Sequence, residues 1–221
     1  MNTIQTINDQ KDLRQSEKSQ LYINIFWEEP WNEWYECTSC GKLFWLSQVN
    51  ESQKCICGNP LKAFYNTNEV ERDRSSRADK QWYIGKLAET LDNKLVGFVL
   101  GRKTNIWQLN QEKLGLDTEQ MKRLTQNIAG KYSNFDLESF FYFAEIWVDK
   151  QVRGMKVAST LYQQREKEMR KTTSSYTLLR TTKTTDTPYK RFQAKWFIDI
   201  FSYNDDQDRV IMIKNSLSSN Y

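Results

Sequence analysis

All four cysteines lie between positions 37 and 57, as Cys37-Thr38-Ser39-Cys40-Gly41 and Cys55-Ile56-Cys57-Gly58. Two close pairs, each followed by glycine, read as two tight turns whose amide N–H groups can point at thiolates. Four thiolates around one tetrahedral ion suit Zn²⁺, and a closed four-cysteine set leaves no coordination position for chemistry, so such an ion is structural. The first pair has the usual gap of two residues and the second a gap of one. Two disulfides or four free thiols are the competing assignments, and a reducing cytoplasm disfavours the disulfides. The chain has no histidine. That removes Ser-His and Cys-His nucleophiles and imidazole metal ligands. Proton transfer is left to Asp, Glu, Tyr, Lys, a terminus or a relayed water.

A second stretch carries chemistry in its backbone. Arg153-Gly154-Met155-Lys156-Val157-Ala158 follows the apolar run Phe140-Phe141-Tyr142-Phe143-Ala144-Glu145-Ile146-Trp147-Val148 and opens a helical pattern. A strand that turns through a small residue into a helix leaves free N–H groups at the positive end of the helix dipole, an anion site suited to a pyrophosphate. The hydroxyls of Ser159 and Thr160 add donors there. Glu145, a carboxylate within an aromatic and aliphatic run, is the candidate general base, acting directly or through water. Strand alternation could instead turn it to solvent.

These residues need a scaffold, and 221 residues suffice for one sizeable core or for one domain plus a small appendage. With 8 Gly and 3 Pro against 8 Trp, 11 Tyr and 11 Phe, the chain reads as folded around rings and not as linker. A net charge of +4 fits an anionic cofactor or a weak nucleic-acid contact but requires neither, and ordinary surface charge accounts for it. No apolar run approaches the roughly 20 residues of a membrane span. The polar N-terminus of mixed charge does not read as a signal peptide, which places the protein in the cytoplasm with no membrane partner.

Residues 3–7 are expected to form a strand, and Asp9 to cap a helix running to Trp27. Glu29-Pro30-Trp31-Asn32-Glu33 ends that helix, and 34–65 holds the cysteines, with 42–46 as a strand between the pairs. The polar run 66–80 reads as a solvated loop or helix. Strands at 81–90 and 94–103 turn at Asp92-Asn93, with Gly85 and Gly97 marking bulges or close approach. An insertion, 105–136, contains a helix over 117–128 stopped by Gly130. Strand 140–148 and loop 149–155 lead into a helix to Lys171 that buries Val157, Leu161, Tyr162 and Met169. A strand at 176–180, a short helix at 187–195 with Pro188 in its first turn, and strands at 197–203 and 209–214 complete the chain.

This order of elements resembles the GNAT superfamily of N-acetyltransferases. Residues 148–158 are similar to that superfamily's coenzyme A signature, in which an Arg or Gln is followed three and five residues later by Gly and then Gly or Ala. Arg153 and Ala158 fit, whereas Lys156 stands where the middle Gly is expected. Tyr22 to Phe26 with 29–33 is similar to the end of the first helix in several members. The resemblance spans 3–214, with the cysteine segment, similar to a zinc ribbon, and 105–136 as additions. It implies an α+β fold, a GNAT-like mixed central sheet flanked by helices. The chain is then a single acyltransferase domain, 1–221, with a zinc-ribbon insertion at 34–65. The ribbon is expected in the place of a second helix beside the acceptor groove.

The resemblance further implies acetyl-CoA as co-substrate and direct transfer to a primary amine. The strand Ile146-Trp147-Val148 is expected to meet the pantetheine arm, chiefly through the backbone of Ile146 and Val148, and the N–H groups of 153–158 to cradle the pyrophosphate. In the family a Tyr on the last helix often protonates the leaving thiolate. Here that slot falls on Phe192, or on Gln193 if the register slips by one, and Tyr189 one turn away is the substitute candidate. The alternative function is a zinc-ribbon module that binds nucleic acid or protein on a weak or inactive scaffold. Trp27, Trp31, Trp34, Tyr35 and Trp45 could stack on bases or simply form the ribbon's core. A protein N-terminus, a lysine, a polyamine, an aminoglycoside and an aminoacyl-tRNA all stay open as acceptors.

Overall fold

The computed structural model describes residues 4–9, 13–27, 35–44, 49, 53–63, 65–78, 83–171, 175–183, 186–195, 197–203 and 208–215. Strands β1 (Ile4–Asn8), β5 (Tyr83–Thr90), β6 (Leu95–Thr104), β7 (Phe140–Val148), β8 (Tyr176–Thr182), β9 (Ile198–Tyr203) and β10 (Arg209–Asn215) form one sheet in the order β1-β5-β6-β7-β8-β10-β9. Every neighbouring pair is antiparallel except β7 and β8. Parallel neighbours need a crossover, and helix α5 (Val157–Met169) supplies it. A small second sheet, β3-β2-β4, comprises Tyr35–Cys37 (β2), Leu43–Phe44 (β3) and Leu61–Ala63 (β4).

Helices cover both faces, which is why β5 and β6 are buried almost throughout instead of alternating. Successive residues divide between the two sides. Ala88, Val96 and Val99 pack with Val157, Leu161 and Tyr162 of α5. Leu87, Leu95 and Phe98 pack with Leu21, Tyr22 and Ile23 of α1 (Gln15–Trp27) and Val70 of α2 (Thr67–Ala78). The second face continues under α3 (Ile106–Leu109) and α4 (Thr118–Lys131), whose Ile106, Leu109, Leu124 and Ile128 lie over Tyr142, Leu178 and Ile211. Helix α6 (Asp186–Gln193) lies on the α5 side, with Phe192 packed into that core. Among the described residues no helix is long and apolar enough to cross a membrane.

Several sequence expectations are corrected. Asp9 does not cap α1, which begins at Gln15. Its carboxylate is buried, 3.0 Å from Lys18 Nζ, and accepts the Tyr83 hydroxyl at 2.6 Å. That contact explains Gly85, where an added Cβ would stand 2.7 Å from Asp9 Cβ. Gly97 likewise allows close approach, since a Cβ there would meet the Trp147 carbonyl at 2.8 Å. Gly130 does not stop α4, which continues to Lys131; a Cβ at Gly130 would touch nothing, so the site is an exposed helical position. Between β6 and α4 the chain also forms α3, which runs on as a wider π turn at Asn110–Leu114. Finally, the second helix is not replaced by the ribbon. It is α2, and the cysteine segment lies between α1 and α2 in the chain. The segments 29–33 and 45–46, with Trp31, Trp34 and Trp45, lie outside the described residues.

Candidate functional site

Strand β7 changes partners midway. Gly101 lies opposite Phe143 and Leu100 opposite Glu145, so Ala144 is the extra residue of a β-bulge. Parallel pairing with β8 covers only Phe141, Tyr142 and Phe143, while β8 stays paired to β10 as far as Thr182. Past the bulge, β7 and β8 therefore part. The Asp149 N–H reaches back to the Val96 carbonyl at 2.8 Å. Backbone groups alternate along a strand, so those of Ile146 and Val148 point away from β6, into the split. The Val148 carbonyl there accepts Arg153 Nε at 3.0 Å.

The bulge also changes which way the side chains point. Phe143 packs on the α5 side. Without the extra residue, Glu145 two positions later would follow it. Instead Glu145 accepts the Tyr22 hydroxyl of α1 at 3.3 Å on the opposite face. Tyr65 stands edge-on to Tyr22 at 5.8 Å, Phe98 stacks on it at 6.0 Å, and Trp147 lies 6.5 Å from Phe98. Glu145 thus sits at the mouth of the split and at the foot of an aromatic wall.

The split leads to the start of α5. Asp149 caps a short 3₁₀ turn, Lys150–Val152, by accepting the Gln151 N–H at 2.8 Å. Gly154 then takes φ 88° and Lys156 φ 62°, both left-handed. Lys156 is the N-cap of α5 and makes no side-chain cap hydrogen bond. The N–H groups of Val157, Ala158 and Ser159 belong to the first turn, which has no intrahelical acceptor to offer them. Arg153, Gly154, Met155, Lys156 and Ser159 are exposed. The Thr160 hydroxyl, expected as a further outward donor, donates back to the Lys156 carbonyl at 3.2 Å. A hollow of about 140 Å³ beside the loop is lined by Ile4, Thr6, Met155, Val157 and Thr160.

The cysteines converge on one point. Cys37 and Cys57 Sγ are 3.5 Å apart, Cys40 and Cys55 3.7 Å, and Cys40 and Cys57 4.0 Å, with all four within 4.8 Å. Disulfide sulfurs would stand about 2.05 Å apart. Bonds of about 2.3 Å to a tetrahedral zinc place sulfurs about 3.8 Å apart, so the donor set fits that ion. N–H groups of Ser39 and Cys40 reach Cys37 Sγ at 3.4 and 3.5 Å, and these backbone hydrogen bonds, Cys40's first, hold its thiol below the usual range. The shorter second turn gives Cys55 one backbone donor, the Cys57 N–H at 3.5 Å. Cys57 is served by a side chain, Asn59 Nδ2 at 3.4 Å, whose hydrogen bond draws its pKa down to about 6. Against the lowering pull of the Cys57 N–H, burial and the neighbouring thiols push Cys55 up to about 12. Asn59 escaped sequence reading, although an amide two residues past the last cysteine is a visible signal.

No protein-family model matches the chain, and no curated protein matches its sequence. Solved structures match it nearly end to end. A mosquito arylalkylamine N-acetyltransferase-like 5b protein gives a TM-score of 0.57 at 14% identity, covering 96% of this chain and 100% of its own. A chain of the NatC complex bound to Gag peptide and CoA gives 0.55 at 12% identity, covering 97% and 99%. A GNAT-family acetyltransferase from Staphylococcus aureus Mu50 gives 0.54 at 13% identity, covering 97% and 99%. The fold is GNAT-like. At identities this low the likeness is one of architecture, and what each residue does must come from its own surroundings.

The sequence resemblance places the slot for a leaving-group acid at 192 or 193, on α6. Phe192 there lies edge-on to Phe143 at 5.4 Å and to Phe197 at 5.6 Å. The Tyr189 hydroxyl donates to Asp199 Oδ2 at 2.5 Å and accepts from Gln193 at 2.8 Å. Desolvation, followed by the Asp199 carboxylate, pushes its pKa up to about 12. Tyr189 packs on the α5 side of the sheet and Glu145 faces α1, so the two candidate catalytic residues lie toward opposite faces. Arg165 was not anticipated. It is fully buried within the α5 stripe. Its guanidinium lies 4.1 Å from the Phe143 ring centre, with Tyr162 at 5.1 Å and Phe141 at 5.3 Å. Desolvation lowers its pKa to about 10, leaving it a cation at neutral pH that braces β7 ahead of the bulge.

Proposed function

We propose that the chain is an acetyl-CoA-dependent N-acetyltransferase that moves an acetyl group directly onto a primary amine. It acts as a single domain, 1–221, with a four-cysteine zinc ribbon inserted at 34–65. One observation carries this reading: β7 parts from β8 at the Ala144 bulge and runs straight into an uncapped helix start. A slot with backbone hydrogen-bonding groups along one wall suits an amide-bearing pantetheine arm, and the helix start beyond it suits a pyrophosphate. Ile146 and Val148 line the slot, with Trp147 between them. Gly154 opens the turn, the N–H groups of Val157, Ala158 and Ser159 face the phosphates, and Arg153 and Lys156 add positive charge.

The neutral acceptor nitrogen attacks the thioester carbonyl carbon and the carbon–sulfur bond breaks. The proton lost by nitrogen goes to Glu145, directly or through one water. The thiolate leaves without an adjacent donor, since a thiol of pKa about 8.5 yields a stable enough anion in water. Zinc at Cys37, Cys40, Cys55 and Cys57 would supply folding energy to a ribbon whose buried core, among the described residues, holds Phe44 and Leu61 besides two of the cysteines.

The filled acid slot favours a second reading, a slow or inactive scaffold whose ribbon binds nucleic acid or protein. Calorimetric titration with acetyl-CoA, followed by thiol release with amine acceptors, separates them. The enzyme reading expects a dissociation constant below about 100 µM and amine-dependent thiol release. Binding without release under any amine, together with retention on single-stranded nucleic acid that is lost in Cys55→Ala, favours the second. No binding at all sinks the first.

A further inference from the structure

We infer that Asn59 is a positioning residue for the metal: its side-chain amide holds the Cys57 sulfur where the shorter cysteine turn lacks a backbone donor, and so sets how tightly the chain keeps zinc. This rests on the zinc reading of the four cysteines and adds to it a residue that is not a ligand. The two turns close in the same way but differ by one amide. In the first, the Gly41 N–H closes on the Cys37 carbonyl at 3.1 Å, and the N–H groups of Ser39 and Cys40 both reach Cys37 Sγ, at 3.4 and 3.5 Å. In the second, the Gly58 N–H closes on the Cys55 carbonyl at 2.8 Å. Among the described residues, the Cys57 N–H is then the one backbone donor on Cys55 Sγ, at 3.5 Å. Glycine at φ 69° and 84° allows both closures. The gap of one residue thus removes a donor from a place where four thiolates crowd around a single dication.

Asn59 supplies a donor from its side chain instead. Its Nδ2 stands 3.4 Å from Cys57 Sγ and 3.4 Å from the Cys57 carbonyl oxygen. Both partners accept, so the amide NH₂ faces them and the amide oxygen does not. Two contacts to one residue fix its backbone and its sulfur together. Asn59 is itself anchored, because its carbonyl accepts the Cys55 N–H at 2.9 Å. Asn59 is half-buried and Cys57 is exposed. An exposed thiolate is otherwise free to rotate into water, whereas a fixed donor disperses its charge and keeps it turned toward the metal. Thr38 provides a contrast within the same ribbon. Its hydroxyl donates to the Pro60 carbonyl at 3.1 Å, a tie between the two turns that involves no sulfur. Substitutions at Thr38 and Asn59 therefore separate the stability of the ribbon from the support of its metal.

The test uses the full chain and reads metal, not turnover. Zinc affinity is measured by competition with a chromophoric chelator at fixed pH. Co²⁺ is then loaded in place of zinc to record the sulfur-to-cobalt charge-transfer band. Asn59→Ala should weaken zinc about 10-fold, the lower end of what a lost outer partner costs a metal site. It should also shift the charge-transfer band to lower energy, because a thiolate without its donor gives up charge more readily. Asn59→Asp keeps the shape and turn preference of asparagine but turns an acceptor toward the sulfur, so it should weaken zinc more than Asn59→Ala does. Thr38→Ala should weaken zinc less than Asn59→Ala and leave the band in place. An unchanged zinc affinity in Asn59→Ala overturns the inference, as does an Asn59→Asp chain that binds zinc as tightly as the unsubstituted one. A loss in Thr38→Ala as large as that in Asn59→Ala, with the band unmoved in both, also overturns it and makes Asn59 a residue of ribbon stability alone. An unsubstituted chain that takes up neither zinc nor cobalt is a different result: it removes the zinc reading, and this inference falls with it.

Discussion

Two helices on this sheet start in opposite ways. At α4, Asp117 sits in extended backbone and accepts the Gln120 N–H at 2.8 Å, while the Gln120 side chain accepts the Asp117 N–H at 3.0 Å. Glu119 adds negative charge to the first turn. At α5, the N-cap is a lysine in left-handed backbone, no side chain accepts an N–H, and the first turn carries no acid. A good cap contributes about 1 kcal/mol. Left-handed backbone at a non-glycine residue costs about 1–2 kcal/mol more. The α5 start thus forgoes roughly 2–3 kcal/mol that the α4 start secures. A fold tolerates that where a ligand returns it, since anything bound only by the native state stabilises that state. On the proposed function the contrast is one of purpose: α4 closes its donors on itself, and α5 would keep them for an anion.

The strongest way to break this contrast is to give α5 the acid that α4 has. Gly154→Asp puts a carboxylate at the mouth of the loop and an L side chain at φ 88°. Affinity for acetyl-CoA should fall by about 100-fold or more, matching the roughly 3 kcal/mol of a charge-assisted hydrogen bond forfeited to repulsion. Calorimetry measures it, and unchanged affinity in a folded variant means that the α5 start is not the anion site. The opposite experiment removes the cap from α4. Asp117→Ala should lower stability by about 1 kcal/mol, some 2–4 °C in melting temperature for a chain of this size, with acetyl-CoA affinity untouched. A shift in affinity would show that the two starts are coupled.

The same pair shows what sequence could reveal. The start of α4 was readable because its cap is local, with Asp117 and Gln120 three residues apart. Strand β7 was readable to the residue because Phe140 to Val148 is one unbroken apolar run between polar flanks. The buried stripe of α5 was read from Val157, Leu161, Tyr162 and Met169, and its charge alone hid Arg165, four residues from both Leu161 and Met169. What sequence could not reveal depends on partners far along the chain. The Ala144 bulge exists only in the register of β7 against β6. Asp9 looked like a cap because Tyr83, which holds it, is 74 positions away. Helix α3 was passed over although Asn105 caps it by accepting the Gln108 N–H at 2.8 Å, because that asparagine follows directly on a strand. The four cysteines were legible as a donor set from spacing, while the Asn59 contact with Cys57 needed the fold of the turn.

The smallest effect is the most diagnostic of the α5 start. Lys156 stands where the superfamily pattern expects glycine, and its φ of 62° is the conformation glycine adopts without strain. Lys156→Gly removes that strain but adds freedom to the unfolded chain, so the net gain in stability should stay below about 1 kcal/mol, or about 2–4 °C. Affinity separates the two roles that the lysine can have. If its charge serves the phosphates, Lys156→Gly weakens acetyl-CoA about 2- to 5-fold at low salt, the scale of one exposed charge near a helix end. The difference then closes near 1 M salt, where the screening length shrinks to about 3 Å. If the side chain crowds the cradle, affinity rises instead, and it stays raised at every salt concentration because steric relief does not respond to ions. The second outcome would make Lys156 a tolerated obstruction and leave the backbone N–H groups, with Arg153, as the whole of the anion site.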